Sequence, residues 1–294
     1  FPMKTILILT DFTENAAHAA ASTVMLGEKL HAKLLLFNSF YNMPILPSYG
    51  GSGGPWVVED LVLRETDCDK KLKQLAADLQ KKVNALPAEH YRPTIAIQYG
   101  EGELSKNIET ILQEIDLELI VMGARSGSAI SHIFTGSDTR AVIDRAARPV
   151  LVVPEKTNLK ALKRITFATN FEDTDIAAVR YLDKLCKVFR FKLEVVHVSL
   201  IWDIPEDVDH QHQSELFREK LSKLNFPEIT YQEVKGKGVV DRLNRLCAEH
   251  HSDILVMVHY KDSLMTRIFQ ESTTKDALSN QSIPLLVIPA KMEE

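Results

Sequence analysis

Two stretches decide the fold: KTILILTDF at residues 4–12 and KRITFATNF at residues 163–171. Each starts with a cation, continues as a mainly apolar run, and ends in Thr, an acid or its amide, and Phe. The second stretch lies 159 positions after the first. An apolar run of this length between polar residues is typical of a buried strand. The pair predicts that one structural unit occurs twice in the chain.

Later segments repeat at a shorter spacing. The sequence LIVM at 119–122 recurs as ILVM at 254–257, and RPVLVVP at 148–154 matches IPLLVIP at 283–289, both 135 positions apart. The first copy therefore carries about 24 more residues than the second, between residues 40 and 99.

The repeat divides the 294 residues into two predicted domains, 3–157 and 158–294. A Gly-rich insertion near 41–65 belongs to the first domain, and the GGSGGP run inside it is typical of a flexible loop. This loop is interpreted as a plain surface excursion, with a lid over a ligand as the alternative.

Short Val, Ile and Leu runs alternate with amphipathic stretches in both copies, which indicates a parallel sheet covered by helices on both faces. We predict α/β architecture: two tandem doubly wound domains, each with a five-stranded parallel sheet. The predicted strands are 4–10, 33–40, 93–99, 118–123, 149–154, 163–169, 192–199, 229–235, 253–258 and 284–289. The predicted helices are 14–31, 59–84, 103–115, 137–146, 174–190, 210–224, 239–251 and 272–280. Such sheets bind ligands beyond the carboxyl ends of their strands.

Composition narrows the function classes. The chain has 35 basic and 40 acidic residues, a net charge of −5, and 45% apolar residues. This balance gives no electrostatic case for nucleic acid or an anionic membrane, and the longest apolar runs are too short to span a bilayer. Three scattered cysteines do not form a disulfide framework, so we expect a cytoplasmic location.

Two strand ends carry candidate ligand-binding residues. Asp11 follows the first strand, where it either caps the next helix beside Thr13 or contacts a ribose, a base or a metal. The fourth strand ends at Gly123, and a Gly- and Ser-containing segment leads from there to Gly136-Ser137, where a helix is predicted to begin. Glycines and a helix N-terminus together make a phosphate cradle in physical terms. The segment is neither a P-loop nor a GxGxxG dinucleotide fingerprint.

The chain resembles the universal stress proteins, in their tandem two-domain form. ATP-binding members carry Gly-x-x-Gly, nine residues, then Gly followed by Ser or Thr. Here Gly123 and Gly136 stand 13 apart and Ser137 follows, while Ser126 occupies the second glycine position and Gly127 comes one step late. The resemblance implies a Rossmann-like fold of the adenine nucleotide alpha hydrolase type, with the two halves related by a pseudo-twofold axis.

The resemblance also implies an adenine-nucleotide site in the first domain, for ATP, ADP or AMP, with Mg²⁺ held mainly by phosphate oxygens. Thr10 and Asp11 would contact the nucleoside, and Asn38 would approach adenine. The ribose and phosphate path would be lined by Met122, Gly123, Arg125, Ser126 and Gly127. The phosphates would be bound by Gly136, Ser137, Asp138 and Thr139.

The second copy has exchanged most of these residues. Asn170 stands where the first copy has Asp11, Val258 replaces Gly123, and Glu271 replaces Gly136; Ser272 alone survives, opposite Ser137. We expect this half to bind no ATP in this way.

The remaining expectations concern partners and chemistry. The apolar terminal strands 149–154 and 284–289 are expected to pair with each other, giving an intramolecular pseudo-dimer; a further homodimer is left open. Catalytic residues and metal ligands are not assigned, and the histidines, among them His250 and His259, are expected to be solvated. The chain is interpreted as a stress-response sensor or regulator with at most slow ATP hydrolysis or self-phosphorylation. The alternative is an interaction scaffold, or a binder of another small ligand; the sequence names no protein partner.

Overall fold

A computed structural model describes residues 4–40, 56–124, 137–155, 157, 159, 161–201, 208–224, 226–260 and 283–292. Ten strands and seven helices lie within this part of the chain. In chain order they are β1 (Thr5–Leu9), α1 (Glu14–Leu30), β2 (Lys33–Phe40), α2 (Trp56–Asn84), β3 (Ile95–Glu101), α3 (Leu104–Glu114), β4 (Leu117–Gly123), α4 (Ser137–Arg145), β5 (Val150–Val153), β6 (Arg164–Ala168), α5 (Asp173–Phe189), β7 (Lys192–Leu200), α6 (Val208–Ser222), β8 (Ile229–Gly236), α7 (Val239–Glu249), β9 (Ile254–His259) and β10 (Leu285–Pro289). The predicted α/β class is confirmed. Each of these strands and helices was also predicted, with ends that differ by at most a few residues. The helix predicted at 272–280 lies outside the described residues.

The chain forms two compact units, Phe1–Gly123 and Ala124–Glu294. In the first, parallel strands follow the order β3-β2-β1-β4. In the second, parallel strands follow the order β8-β7-β6-β9-β10, the same winding in the second copy. The repeat boundary near residue 157 stays a prediction from the sequence.

The terminal strands of the two copies pair with each other, as predicted. β5 runs antiparallel to β10, with Val152 opposite Leu285 and Val150 opposite Val287. β5 therefore lies in the second compact unit although it ends the first sequence copy. All four residues of β5 are buried, so this pairing removes an apolar edge that would otherwise invite association.

The central strands are covered on both faces. All five residues of β1 are buried, and since successive side chains point to opposite faces, neither face of the strand meets water. Burial of this apolar surface stabilises the sheet by roughly 25 cal/mol per Å². The polar residues that follow the strand ends are therefore attached to a tightly packed sheet.

Helices α1 and α2 show how local sequence sets the elements near the carboxyl edge of the first sheet. Thr13 caps α1 by accepting a hydrogen bond from the Ala16 N–H, and His31 ends the helix in the left-handed conformation. Helix α2 has 29 residues where its counterpart α6 has 15, so part of the extra sequence in the first copy lengthens a helix. Residues 41–55, which include the Gly-rich run, lie outside the described residues.

Candidate functional site

Residues of the first unit meet where β1, β2 and β4 end and α1 begins. We call this the first cluster: Thr10, Asp11, Asn15, Asn38 and Gly123. Thr10 is buried, and its N–H donates to the Phe37 carbonyl at 3.0 Å. Asp11 is exposed at the start of the turn that leads into α1. The carboxyl edge of the sheet therefore presents a carboxylate beside buried polar groups, as the strand pattern predicted.

The turn after β1 occupies one of the two carboxylate oxygens of Asp11. The N–H and Oγ1 of Thr13 both donate to Asp11 Oδ1, at 3.0 and 2.6 Å, and the N–H of Phe12 donates to Thr10 Oγ1 at 3.0 Å. Phe12 has φ of 63°, the left-handed region that a bulky residue rarely adopts. The capping role expected for Asp11 is therefore present. Its Oδ2 and its N–H make no hydrogen bond with any described residue, so ligand capacity remains.

Asn38 is engaged at both ends of its side-chain amide. Nδ2 donates to the Thr10 carbonyl at 2.6 Å, and Oδ1 accepts from the thiol of Cys68 on α2 at 3.2 Å. Both side chains are buried. The predicted nearness of Asn38 to adenine is not tested by these contacts. What they establish is that Asn38 joins the end of β2 to the end of β1.

Gly123 lies where the first turn of α1 packs on the end of β4. A Cβ atom at this position would come within 3.0 Å of the Asn15 carbonyl carbon and oxygen and of the Ala16 nitrogen. Any other residue here would require the backbone of α1 to shift by a few tenths of an ångström. The Oδ1 of Asn15 is buried there, with no hydrogen-bond partner in the described part of the chain. Sequence reasoning did not single out Asn15; its place two residues after the cap is the one signal that could have done so.

The equivalent edge of the second unit contains what we call the second cluster: Thr169, Asn170, Asp175, His197 and Tyr260. Asp175 is fully buried, and its carboxylate accepts from Thr169 Oγ1 at 2.7 Å, the Asn170 N–H at 2.9 Å and the Tyr260 hydroxyl at 2.5 Å. Burial raises the pKa of Asp175, and these three donors oppose that effect. Here groups of the protein itself satisfy the buried carboxylate.

Aromatic side chains complete the second cluster. Phe171 stacks on the His197 ring at 4.2 Å between centroids and packs against Phe217 of α6 at 5.6 Å. His197 Nδ1 lies 2.9 Å from the Thr169 carbonyl, the contact that Asn38 makes in the first copy. Tyr260 also accepts from Thr174 Oγ1 at 2.7 Å. The space beside the strand end is thus filled by the protein itself.

One family of known proteins matches this chain. The model of the universal stress protein family matches residues 2–154, just over half of the chain. The chain belongs to the universal stress protein family. Among curated proteins, no sequence matches it.

Solved structures resemble this universal stress protein over nearly its whole length. A universal stress protein from Archaeoglobus fulgidus DSM 4304 is 15% identical with a TM-score of 0.65, covering 98% of this chain and 97% of that chain. A functionally unknown protein from Pseudomonas aeruginosa PAO1 is 12% identical with a TM-score of 0.58, covering 98% and 93%. A putative universal stress protein from Pseudomonas aeruginosa UCBPP-PA14 is 11% identical with a TM-score of 0.57, with the same coverage. At these identities the likeness concerns the fold.

The other predicted site residues of this universal stress protein are only partly described. Arg125, Ser126, Gly127 and Gly136 lie outside the described residues. Ser137, Asp138 and Thr139 open helix α4 of the second unit, as predicted. Asp138 is exposed in the first turn, where a negative charge complements the helix dipole, whereas Thr139 is 2% exposed. Met122 is buried at the end of β4.

Two histidines predicted to be solvated contact carboxylates, although 32% of the His250 side chain is exposed. His259 is nearly buried, and its Nε2 lies 3.0 Å from Asp144 Oδ1, while His250 Nδ1 lies 2.7 Å from Glu194 Oε2. Each sits beside a carboxylate because strand and helix ends of the second unit bring the pair together. No group of three or more His, Cys, Asp or Glu within the described residues could hold a metal ion.

A cavity of about 430 Å³ lies at the opposite edge of the second sheet, at the amino ends of β6, β7 and β8. Two charged pairs line it, Lys192 with Glu228 at 2.6 Å and His250 with Glu194, and Arg164 lines it as well. Within the second unit, this cavity lies at the opposite ends of the strands from the second cluster. Among the helices of the described segments, none is long and apolar enough to cross a membrane.

Proposed function

We propose that this universal stress protein binds an adenine nucleotide through the first cluster and acts as a cytoplasmic stress-response sensor or regulator. The observation that carries the proposal is a set of polar groups at one edge that no described residue pairs: the exposed Asp11 Oδ2 and N–H, and the buried Asn15 Oδ1. Buried polar groups are normally hydrogen-bonded, so an orphaned acceptor such as Asn15 Oδ1 calls for a partner. The hydroxyl groups of a ribose are donors that match such acceptors.

Support for a nucleotide over a nucleoside comes from the glycine pattern and from helix α4. Gly123 and Gly136 keep the spacing of the ATP-binding members, and Ser137 begins a nine-residue helix. A helix N-terminus offers unpaired N–H groups and a favourable dipole to an anion. By the resemblance to the ATP-binding members, the proposed phosphate-binding residues are Gly136, Ser137, Asp138 and Thr139. Mg²⁺ would be held by the phosphate oxygens.

In this function the protein is a binder with at most slow ATP turnover. Efficient phosphoryl transfer needs a residue that orients or deprotonates the attacking group, and groups that neutralise developing charge. In the first cluster the one carboxylate, Asp11, is tied to Thr13 through Oδ1. We therefore assign no catalytic residue.

The second unit is proposed to bind no nucleotide in this way. Asp175 supplies from within the protein the acceptor for Thr169 Oγ1 and the Asn170 N–H. The first copy has Ala16 at the position of Asp175, so the corresponding Asp11 N–H stays available. A buried carboxylate would also repel phosphates.

Isothermal titration calorimetry with ATP and Mg²⁺ on the full chain tests the proposal. We expect one site, with Asp11→Ala weakening binding by about tenfold or more, the loss of a hydrogen bond to a charged group. Asn170→Ala, the same position in the second copy, is the matched control and should bind as the wild type does. Absence of heat, or equal weakening by both variants, would contradict the proposal. Mass analysis of a heat-extracted ligand decides whether another small molecule occupies the protein, and Gly136→Val tests the phosphate end.

A further inference from the structure

A chain of hydrogen bonds runs from helix α2 to the end of β1. The Cys68 thiol donates to Asn38 Oδ1 at 3.2 Å, and Asn38 Nδ2 donates to the Thr10 carbonyl at 2.6 Å. Cys68 and Asn38 are 4% and 8% exposed, so water does not compete for these groups. The Thr10 carbonyl is the backbone group directly before Asp11. The relay therefore ends at the turn that carries the proposed nucleotide ligands.

The donors and acceptors fix the orientation of the Asn38 amide. A backbone carbonyl only accepts, so the amide must present Nδ2 to Thr10, which leaves Oδ1 facing Cys68. Burial raises the pKa of the Cys68 thiol, with Asp67 and Asp69 adding to the effect, so the sulfur keeps its proton and can donate. The amide is thus held from both sides.

Helix α2 contacts the same turn at a second point. Lys71, one helical turn after Cys68, places its Nζ 5.6 Å from the centre of the Phe12 ring. In the second copy, α6 reaches the equivalent turn through Phe217 against Phe171, and His197 takes the place of Asn38. In both units the second helix of the copy supports the turn after the first strand, and in the first copy a thiol makes the hydrogen bond.

We propose that Cys68 is a positioning residue for the nucleotide site: through Asn38 it holds the Thr10 carbonyl and thereby the Asp11 turn. This role rests on the proposed nucleotide function. Because the relay supports the nucleoside end of the site, loss of the thiol should weaken adenosine and ATP by the same factor. A change that only loosened the fold would also weaken both ligands alike, so the test needs a control thiol outside the site and a variant that restores the donor.

The test compares calorimetric titrations of the full chain with ATP and with adenosine. Cys68→Ala should weaken both by about threefold to tenfold, the loss of one modest hydrogen bond, and Cys68→Ser, which keeps a donor, should recover most of the affinity. Cys186→Ala is the matched control, since Cys186 is a buried helical thiol that donates to the Phe191 carbonyl at 3.1 Å in the second unit. It should leave both affinities unchanged.

Four outcomes would overturn the role of Cys68. Wild-type affinity in Cys68→Ala, or equal weakening in Cys186→Ala, overturns this role alone. Failure of the wild-type chain to bind ATP overturns the nucleotide function and the role together. Side-chain amide resonances measured without nucleotide give an independent check: Cys68→Ala should shift the Asn38 amide signals and leave the Asn15 amide signals in place, and unshifted Asn38 signals would contradict the relay.

Discussion

The two clusters occupy the same place in two copies of one sequence unit and use their polar groups in opposite ways. In the first, Asp11 Oδ2, the Asp11 N–H and Asn15 Oδ1 have no partner within the described residues. In the second, Asp175 accepts from three donors at once. The first edge keeps a carboxylate oxygen and a backbone N–H for a ligand, whereas in the second the matching Asn170 N–H already donates to Asp175.

The backbone beneath the two clusters is nevertheless the same. Phe12 and Phe171 have φ values of 63° and 65°, and each donates its N–H to the hydroxyl of the threonine two residues earlier. Asn38 and His197 both contact the carbonyl of that threonine. The comparison teaches that the turn is a requirement of the fold, whereas ligand capacity depends on a few side chains around it.

Substitutions at position 175 and at the corresponding position 16 should have the largest effects, on stability and on ATP affinity respectively. Asp175→Ala leaves the Thr169 hydroxyl, the Asn170 N–H and the Tyr260 hydroxyl without an acceptor, so we expect the free energy of unfolding to fall by about 3 kcal/mol or more. Ala16→Asp places a carboxylate beside the Asp11 N–H and should weaken ATP binding at least tenfold by occupying the site and repelling phosphate.

Urea unfolding and calorimetry measure the two effects. Ala16→Ser is the control for added bulk at position 16 and should retain more ATP affinity than Ala16→Asp. If Asp175→Ala unfolds like the wild type, the second cluster does not stabilise its unit. If Ala16→Asp binds ATP normally, position 16 does not distinguish the two copies.

Much of the fold could be predicted because a run of consecutive apolar residues indicates a buried strand. The runs around Ile6 and Ile120 are apolar without alternation, which predicts strands covered on both faces. Thr13 could be predicted as a cap from its position between such a run and an Ala-rich stretch. Thr10, Asp11, Asn38 and Gly123 could be placed together because parallel strands end at one edge.

The contacts that distinguish the two clusters could not be predicted in the same way. Asp175 lies in the acidic run EDTD at 172–175, and its burial depends on Tyr260, 85 positions later. Helical spacing places Cys68 on the same buried face as Leu72 and Leu79, but nothing in that spacing pairs it with Asn38. Such contacts join segments far apart in sequence, and local patterns do not encode them.

The two phenylalanines in the left-handed conformation give a smaller contrast. Glycine relieves the strain of a positive φ, by about 1 kcal/mol, at both positions. Phe171→Gly also loses the contacts with His197 and Phe217, so we expect a net loss of about 2 kcal/mol in the free energy of unfolding. Phe12, whose ring meets the Lys71 ammonium, has less to lose, and Phe12→Gly should stay within about 0.5 kcal/mol of the wild type.

Thermal and urea unfolding of both glycine variants check this contrast. Phe171→Leu, which keeps an apolar side chain but not the ring, should fall between the wild type and Phe171→Gly. Equal losses at positions 12 and 171 would mean that the two turns are supported equally, contrary to the ring contacts.

The pH dependence of the second cluster gives the smallest effect. Burial raises the pKa of Asp175 in the folded chain above the ordinary 3.8, so the folded state holds this proton more tightly than the unfolded state does. The resulting stabilisation is complete below the unfolded pKa and is lost as the pH rises through the folded pKa. For one proton the slope cannot exceed about 1.4 kcal/mol per pH unit. The free energy of unfolding of the wild type, minus that of Asp175→Asn, should therefore decrease with rising pH across this window.

Tyr260→Phe sharpens that measurement because it removes one of the donors that favour the charged form of Asp175. Without the Tyr260 hydroxyl the pKa of Asp175 should rise further, which moves the window of pH-dependent stability upward. The pKa of Tyr260 is itself raised by burial and by Asp175, so the phenol stays protonated throughout the window and adds no titration of its own. An identical window in the wild type and in Tyr260→Phe would mean that the hydroxyl does not stabilise the Asp175 carboxylate, and the second cluster would then be held by Thr169 and the Asn170 N–H.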